Sequence, residues 1–119
     1  MQYLLLIYGN ESQWTKEGTA DRDKVLKEYS EFTQSIAKSG HLKGANELDT
    51  TSKATTVRVR DGKRLVTDGP FAETKEQLGG YYLVEAKDLD EAIGMAARIP
   101  SARMGSIEVR PIIPHEMPS

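Results

Sequence analysis

The sequence predicts one α+β domain, and three observations carry that expectation. Short apolar or alternating runs, bounded by Gly, Asn and Asp, mark strands near both ends and in the middle of the chain. Two longer stretches switch to helical spacing, one after the first strand and one before the last. The 119 residues fill a single domain, which at this size buries about two-thirds of the surface its unfolded chain exposes.

Residues Gln2 to Tyr8 form an apolar run closed by Gly9-Asn10, the pattern of a strand buried on both faces and therefore central in its sheet. Glu11 to Thr19 is polar, with a lone Trp14 and Gly18, and reads as a loop. From Ala20 to Ser39 the period becomes helical: Val25, Leu26, Tyr29, Phe32, Thr33 and Ile36 share one face. Asp21 and Asp23 suit its first turn, and Gly40 follows its end. His41 to Leu48 is a weakly patterned second strand, and Thr50 to Lys53 a polar connection. Thr55 to Arg60 alternates, Asp61-Gly62 follows, and Lys63 to Thr67 returns. Asp-Gly between two such runs specifies a hairpin, because both turn positions need positive φ.

Asp68 to Gln77 is a Gly-Pro-containing loop, and Leu78-Gly79-Gly80 leads into a strand from Tyr81 to Ala86. Asp88, with Glu91 three residues on, has capping-box spacing for a helix over Leu89 to Ile99. Its expected apolar face is Leu89, Ala92, Ile93, Ala96 and Ala97, and Pro100 ends it. After a loop from Ser101 to Gly105, Ser106 to Pro111 is the last strand, followed by a Pro-rich extended tail from Ile112. Without the hairpin the order is βαββαβ, the ferredoxin-like plan, with two helices on one face of an antiparallel sheet. The other face needs a cover. A second copy is the simplest one, so a homodimer joined sheet to sheet is expected, with pockets between sheet and helices or at the seam.

Composition narrows the function. The net charge is −2 with both signs interspersed, which argues against a nucleic-acid partner. The run Tyr3 to Tyr8 is far too short to cross a bilayer, and no basic segment precedes it as in a signal peptide. No membrane partner is therefore expected, and a cytoplasmic setting is. The chain has no cysteine, which removes thiol catalysis and thiolate metal sites. His41 and His115, far apart, make a poor metal site. Gly79-Gly80 lacks the spacing and following helix of a dinucleotide loop. Neither metal nor cofactor is expected.

The segment from Asp68 to Tyr82 holds the candidate chemistry. An aspartate before Gly-Pro either caps its own turn or stands as a carboxylate at a pocket mouth, as general base or ligand anchor. Gly69 and Pro70 would hold it rigid, and Phe71 reads as a core or pocket-wall residue. Glu73 and Gln77 share a face if that segment is helical; Glu73 is then either solvated or a pocket group. Tyr29 on the helix face is either core or a hydrogen-bond donor into the pocket. Tyr81 and Tyr82 are adjacent in a strand and face opposite ways. Arg58 and Arg60 read as a solvated face with a capacity to grip an anion or a partner.

The run Asp68-Gly69-Pro70-Phe71 with Gly79-Gly80-Tyr81-Tyr82, the first strand, the hairpin, Asp88-Leu89-Asp90-Glu91-Ala92 and Glu108-Val109-Arg110-Pro111 together resemble the DGPF family, a branch of the YCII-related superfamily. The resemblance spans nearly the whole chain and implies a dimeric α+β barrel. It implies no settled activity. In the wider superfamily a helix histidine and a loop aspartate are suggested as an acid–base pair; the helix position here is Tyr29, and Asp68 is the loop partner by position. Proximity of many members' genes to sigma factors implies a regulatory setting. The leading expectation is therefore a small-molecule binder or enzyme using Asp68 and Tyr29, with Phe71, Glu73, Tyr81 and Tyr82 on the ligand. The alternatives are a regulatory module with a protein partner and a structural dimer whose site has decayed.

Overall fold

The computed structural model describes residues 1–16 and 19–115, with side chains for 1–13 and 21–115. In chain order the elements are β1 (Gln2–Gly9), α1 (Glu11–Lys16), α2 (Thr19–Lys38), β2 (Leu42–Glu47), β3 (Thr55–Arg60), β4 (Lys63–Asp68), β5 (Gln77–Glu85), α3 (Leu89–Arg98) and β6 (Ser106–Pro111). Short 3-10 helices occupy Thr51–Lys53 and Pro100–Arg103. The main sheet runs β2-β5-β1-β6, every neighbouring pair antiparallel. This is the ferredoxin-like arrangement, and β1 is central, as its two-sided apolar character requires.

Alternation along β1 divides its side chains between two faces. Tyr3, Leu5 and Ile7 face α2 and α3 and join Phe32, Ile36, Tyr82, Val84, Ala92, Met95, Ala96 and Ile99 in one core. Leu4 and Leu6 face the other way, directly opposite Leu83 and Tyr81 of β5 and Arg110 and Glu108 of β6. On that second face Leu6 is already buried and Leu4, Tyr81 and Leu83 are half-buried, an apolar centre on the side away from the α2–α3 core.

The hairpin expected at Asp61-Gly62 is present, with φ of 52° and 72° at these residues, so both positions are left-handed as the tight turn demands. It forms its own two-stranded sheet, apart from the main one. Its base is closed by Gly69 N–H donating to the Ala54 carbonyl at 2.7 Å and by the Thr56 hydroxyl donating to the Gly69 carbonyl at 2.7 Å. The ribbon projects from the body. The radius of gyration is 16.6 Å, against about 13.5 Å for a compact chain of this length.

Several expectations need correction. Glu11–Lys16 is a helix rather than loop: the Asn10 side-chain oxygen accepts from Ser12 N–H at 3.0 Å and the Asn10 carbonyl from Gln13 N–H at 3.0 Å, which starts a turn. Glu17 and Gly18 of the expected loop lie outside the described residues. No helix forms between Asp68 and Gln77, so Glu73 and Gln77 share no helical face; β5 instead begins at Gln77 and runs through both glycines. The α3 face is rotated: Ala92, Met95 and Ala96 are buried, with Ile99 just beyond, while Leu89, Ile93 and Ala97 are exposed. The Asp88 cap forms as expected, accepting from Glu91 N–H at 2.9 Å. Ser101 lies in the second 3-10 helix rather than in a loop. Of the tail, 112–115 has no regular structure and the remainder lies outside the described residues.

Candidate functional site

The first half of α2 stands off the sheet and leaves a cleft of about 790 Å³ between Val25, Leu26 and Tyr29 on the helix and β2, β5 and Ser101 on the other side. Two glycines help to make the room. Gly79 and Gly80 line the cleft without side chains. A Cβ at Gly80 would also lie 2.9 Å from the Asn46 carbonyl, so only glycine lets β2 pair this closely with β5 there. The walls are apolar at Ile7, Val25, Leu26, Leu48 and Met104 and charged at Arg22, Glu47 and Asp49.

Hydroxyl groups mark the floor. Tyr29 and Ser101 are hydrogen-bonded through their hydroxyls, and Ser101 is only 6% exposed. The Tyr82 hydroxyl pairs with Thr33 Oγ1 at 2.6 Å, and its ring meets Phe32 edge-on, centroids 5.2 Å apart. Arg98 lies over the other ring of that pair, 5.4 Å from the Phe32 centroid, and donates to Ser35 Oγ at 2.6 Å. This stack fixes where Tyr82 sits.

Burial pushes the Tyr29 phenol above its ordinary pKa, its bond to Ser101 acts in the opposite sense, and Tyr82 and the Glu47 carboxylate add to the rise. Burial likewise raises Tyr82, against the bond from Thr33. Both phenols are therefore neutral at neutral pH. They offer hydrogen bonds to a ligand rather than a base.

The expected site residues divide into two groups. Tyr29, Tyr81 and Tyr82 line the cleft. The side chain of Tyr81 belongs to the open sheet face, where its hydroxyl accepts from Asn46 Nδ2 at 2.7 Å. Asp68, Phe71 and Glu73 do not line it: Asp68 ends β4, exposed, and Phe71 is 78% exposed rather than part of a core or wall. Asp68 does not share the cleft with Tyr29. Sequence reasoning missed Ser101, which no local pattern marks, and Glu47, a cleft-lining carboxylate that adds least to the rise of Tyr29. Ser39, His41 and Glu91 form a chain of hydrogen bonds, 2.6 Å and 3.1 Å, joining the ends of α2 and α3. None of the three lines the cleft. Among the described residues no cluster of His, Asp and Glu suits a metal ion.

The cleft is tied to the hairpin base. The Glu11 carboxylate accepts from Thr51 N–H and Thr51 Oγ1, each at 2.8 Å, and Glu11 N–H donates to Gln77 Oε1 at 3.1 Å. These bonds hold α1, the start of β5 and the approach to β3 together at one end of the sheet.

The model of the YCII-related domain matches residues 1–116. An uncharacterised protein of Rhizobium meliloti (strain 1021) is 39% identical over 127 aligned positions, which cover all of this chain and all of that protein.

Proposed function

The chain belongs to the YCII-related family, and from that premise we propose that it binds a small organic molecule in the cleft between α2 and the sheet. The observation that supports this is the Tyr29–Ser101 hydroxyl pair on the floor of a cleft of about 790 Å³. That volume lies in the range of small-molecule sites, about 300–1,000 Å³, which combine apolar walls with a few placed polar groups. A neutral phenol in such a place donates to a carbonyl, ether or hydroxyl oxygen. The ligand class is thus an apolar body with one acceptor oxygen, and Glu47 is the carboxylate available to a donor group beside it.

The reading is one of binding. Acid–base catalysis by Asp68 with Tyr29 needs the two groups in one site, and in the protomer they are apart. We assign Tyr29 and Tyr82 to the ligand, the Tyr81 side chain to the open sheet face, and Asp68, Phe71 and Glu73 to a second surface around the hairpin base. The DGPF branch assignment rests on Asp68-Gly69-Pro70-Phe71 and the hairpin before it. A homodimer across the open sheet face, through Leu4, Leu6, Tyr81 and Leu83, would cover that apolar centre. A cytoplasmic setting is part of this proposal, and a chain without cysteine suits a reducing compartment. Among the described residues no helix is long and apolar enough to cross a membrane.

A regulatory protein-interaction module is the second reading. The exposed apolar side of the hairpin speaks for it.

The test is ligand-observed NMR with a panel of phenols and aryl ketones. Mutually competing binders are expected, weakened about five- to tenfold by Tyr29→Phe through loss of one hydrogen bond. Binders indifferent to Tyr29→Phe, or no binder in the panel, would move the assignment away from this cleft.

A further inference from the structure

We propose that the β3–β4 hairpin is an exchanged arm: it reaches over the cleft mouth of a second copy of this chain and closes that copy's ligand site. The inference rests on the cleft being the site and adds what completes it.

The arm cannot be explained inside one protomer. An isolated two-stranded ribbon is at best marginally stable in water. This one pairs Val57 with Val66 and Val59 with Arg64, and residues directly opposite share a face. That face carries Val57, Val59 and Val66 at its centre, with Arg64 towards the turn and Thr55 and Asp68 at its base. Val57, Val59 and Val66 are 58%, 63% and 56% exposed, so nothing in the protomer covers that face. The opposite face holds Arg58, Arg60 and Lys63 with Leu65. Six-residue strands reach about 20 Å, long enough to cross onto a neighbour.

The cleft mouth has the complementary character. Leu26, Leu48 and Met104 line it and are each more than two-fifths exposed, so they offer apolar surface to the valines. Glu47 and Asp49 stand on the same rim, together with Arg22. Over the whole ribbon Arg58, Arg60, Lys63 and Arg64 outnumber Asp61 and Asp68, and around the cleft Glu11, Glu47 and Asp49 outnumber Arg22, so the two surfaces are opposite in net sign. The arm leaves the body next to its own cleft, since Thr50 lines the cleft and Thr55 begins β3. In a two-fold dimer each arm would then cross to the other protomer's mouth, and both sites would be closed at once. Water would be excluded from the Tyr29–Ser101 floor only in the assembled pair.

The chain has no cysteine of its own, so introduced cysteines report without interference. The double variant Arg64→Cys/Asp49→Cys is oxidised with copper phenanthroline without any ligand. The 64–49 disulfide is then located by tryptic mass spectrometry of the monomer and dimer bands. Expected is a 64–49 link confined to the covalent dimer. The same link in the monomer band would mean that each arm folds on its own cleft. A dimer without that link would mean another interface, and a monomer in sedimentation would leave the valine face to a different protein. Each of these three outcomes overturns the proposal. As a second measurement, Val57→Glu/Val59→Glu is expected to weaken self-association about tenfold while leaving the melting of the main sheet in place; unchanged association speaks against the arm. Because neither experiment uses a ligand, failure here leaves the binding assignment standing. Failure of Tyr29→Phe to affect binding leaves the arm standing.

Discussion

The hydroxyls of Tyr29 and Ser101 are hydrogen-bonded across 72 positions of sequence, joining α2 to the 3-10 helix that follows α3 at the floor of the cleft. The two partners are unequal. Ser101 is buried, whereas Tyr29 reaches both the core and the cleft.

Tyr29→Phe should therefore cost more stability than Ser101→Ala. The phenylalanine leaves the Ser101 hydroxyl buried without its partner, a loss of about 1–2 kcal/mol. The alanine leaves a Tyr29 hydroxyl that can still meet water or ligand in the cleft. Urea unfolding of the two variants decides the order.

Stability should fall as pH rises above about 10, the ordinary tyrosine value. Tyr29 and Tyr82 are both raised by burial, so the folded state holds its phenol protons where the unfolded chain releases them. Their contribution is fully present below the unfolded pKa and is lost as pH climbs through the folded ones. Absorbance titration should show Tyr29 and Tyr82 ionising above the ordinary tyrosine value. Glu47→Gln should lower the Tyr29 pKa only slightly, because burial is the main cause of its rise and the Glu47 carboxylate the least.

Gly105→Ala should be among the most damaging small substitutions in the chain. A Cβ at Gly105 would lie 2.1 Å from the Tyr8 carbonyl, against 2.9 Å from the Asn46 carbonyl for Gly80→Ala. Both obstacles are backbone. Costs of about 1–3 kcal/mol or more are expected, with Gly105 the larger, read from thermal melts.

Asp68→Asn should leave affinity for cleft ligands unchanged within error, since Asp68 ends β4 outside the cleft. A loss comparable to that from Tyr29→Phe would restore Asp68 to the site and show that the assembly brings it to Tyr29.

Sequence and structure agree where the cause is local. The central strand is legible because Leu4, Leu5 and Leu6 place apolar groups on both faces. The hairpin is legible because Asp61 and Gly62 meet a backbone requirement within two residues. Asp88 is legible for the same reason. The α3 face was not: Leu89, Ile93 and Ala97 fit helical spacing as well as Ala92, Met95, Ala96 and Ile99 do, and only the packing of α3 on the sheet selects the second set.

The sequence by itself determined the antiparallel α+β plan, the β3–β4 hairpin and the Tyr29 helix face, because strand alternation, turn chemistry and caps act over a few residues. Tertiary structure alone decided the site. It brought Ser101 under Tyr29, set Glu47 on the cleft rim, and carried Asp68 and Phe71 away to the hairpin base. These placements depend on how distant elements pack, and a packing contact between residues 72 apart leaves no periodic trace in the chain.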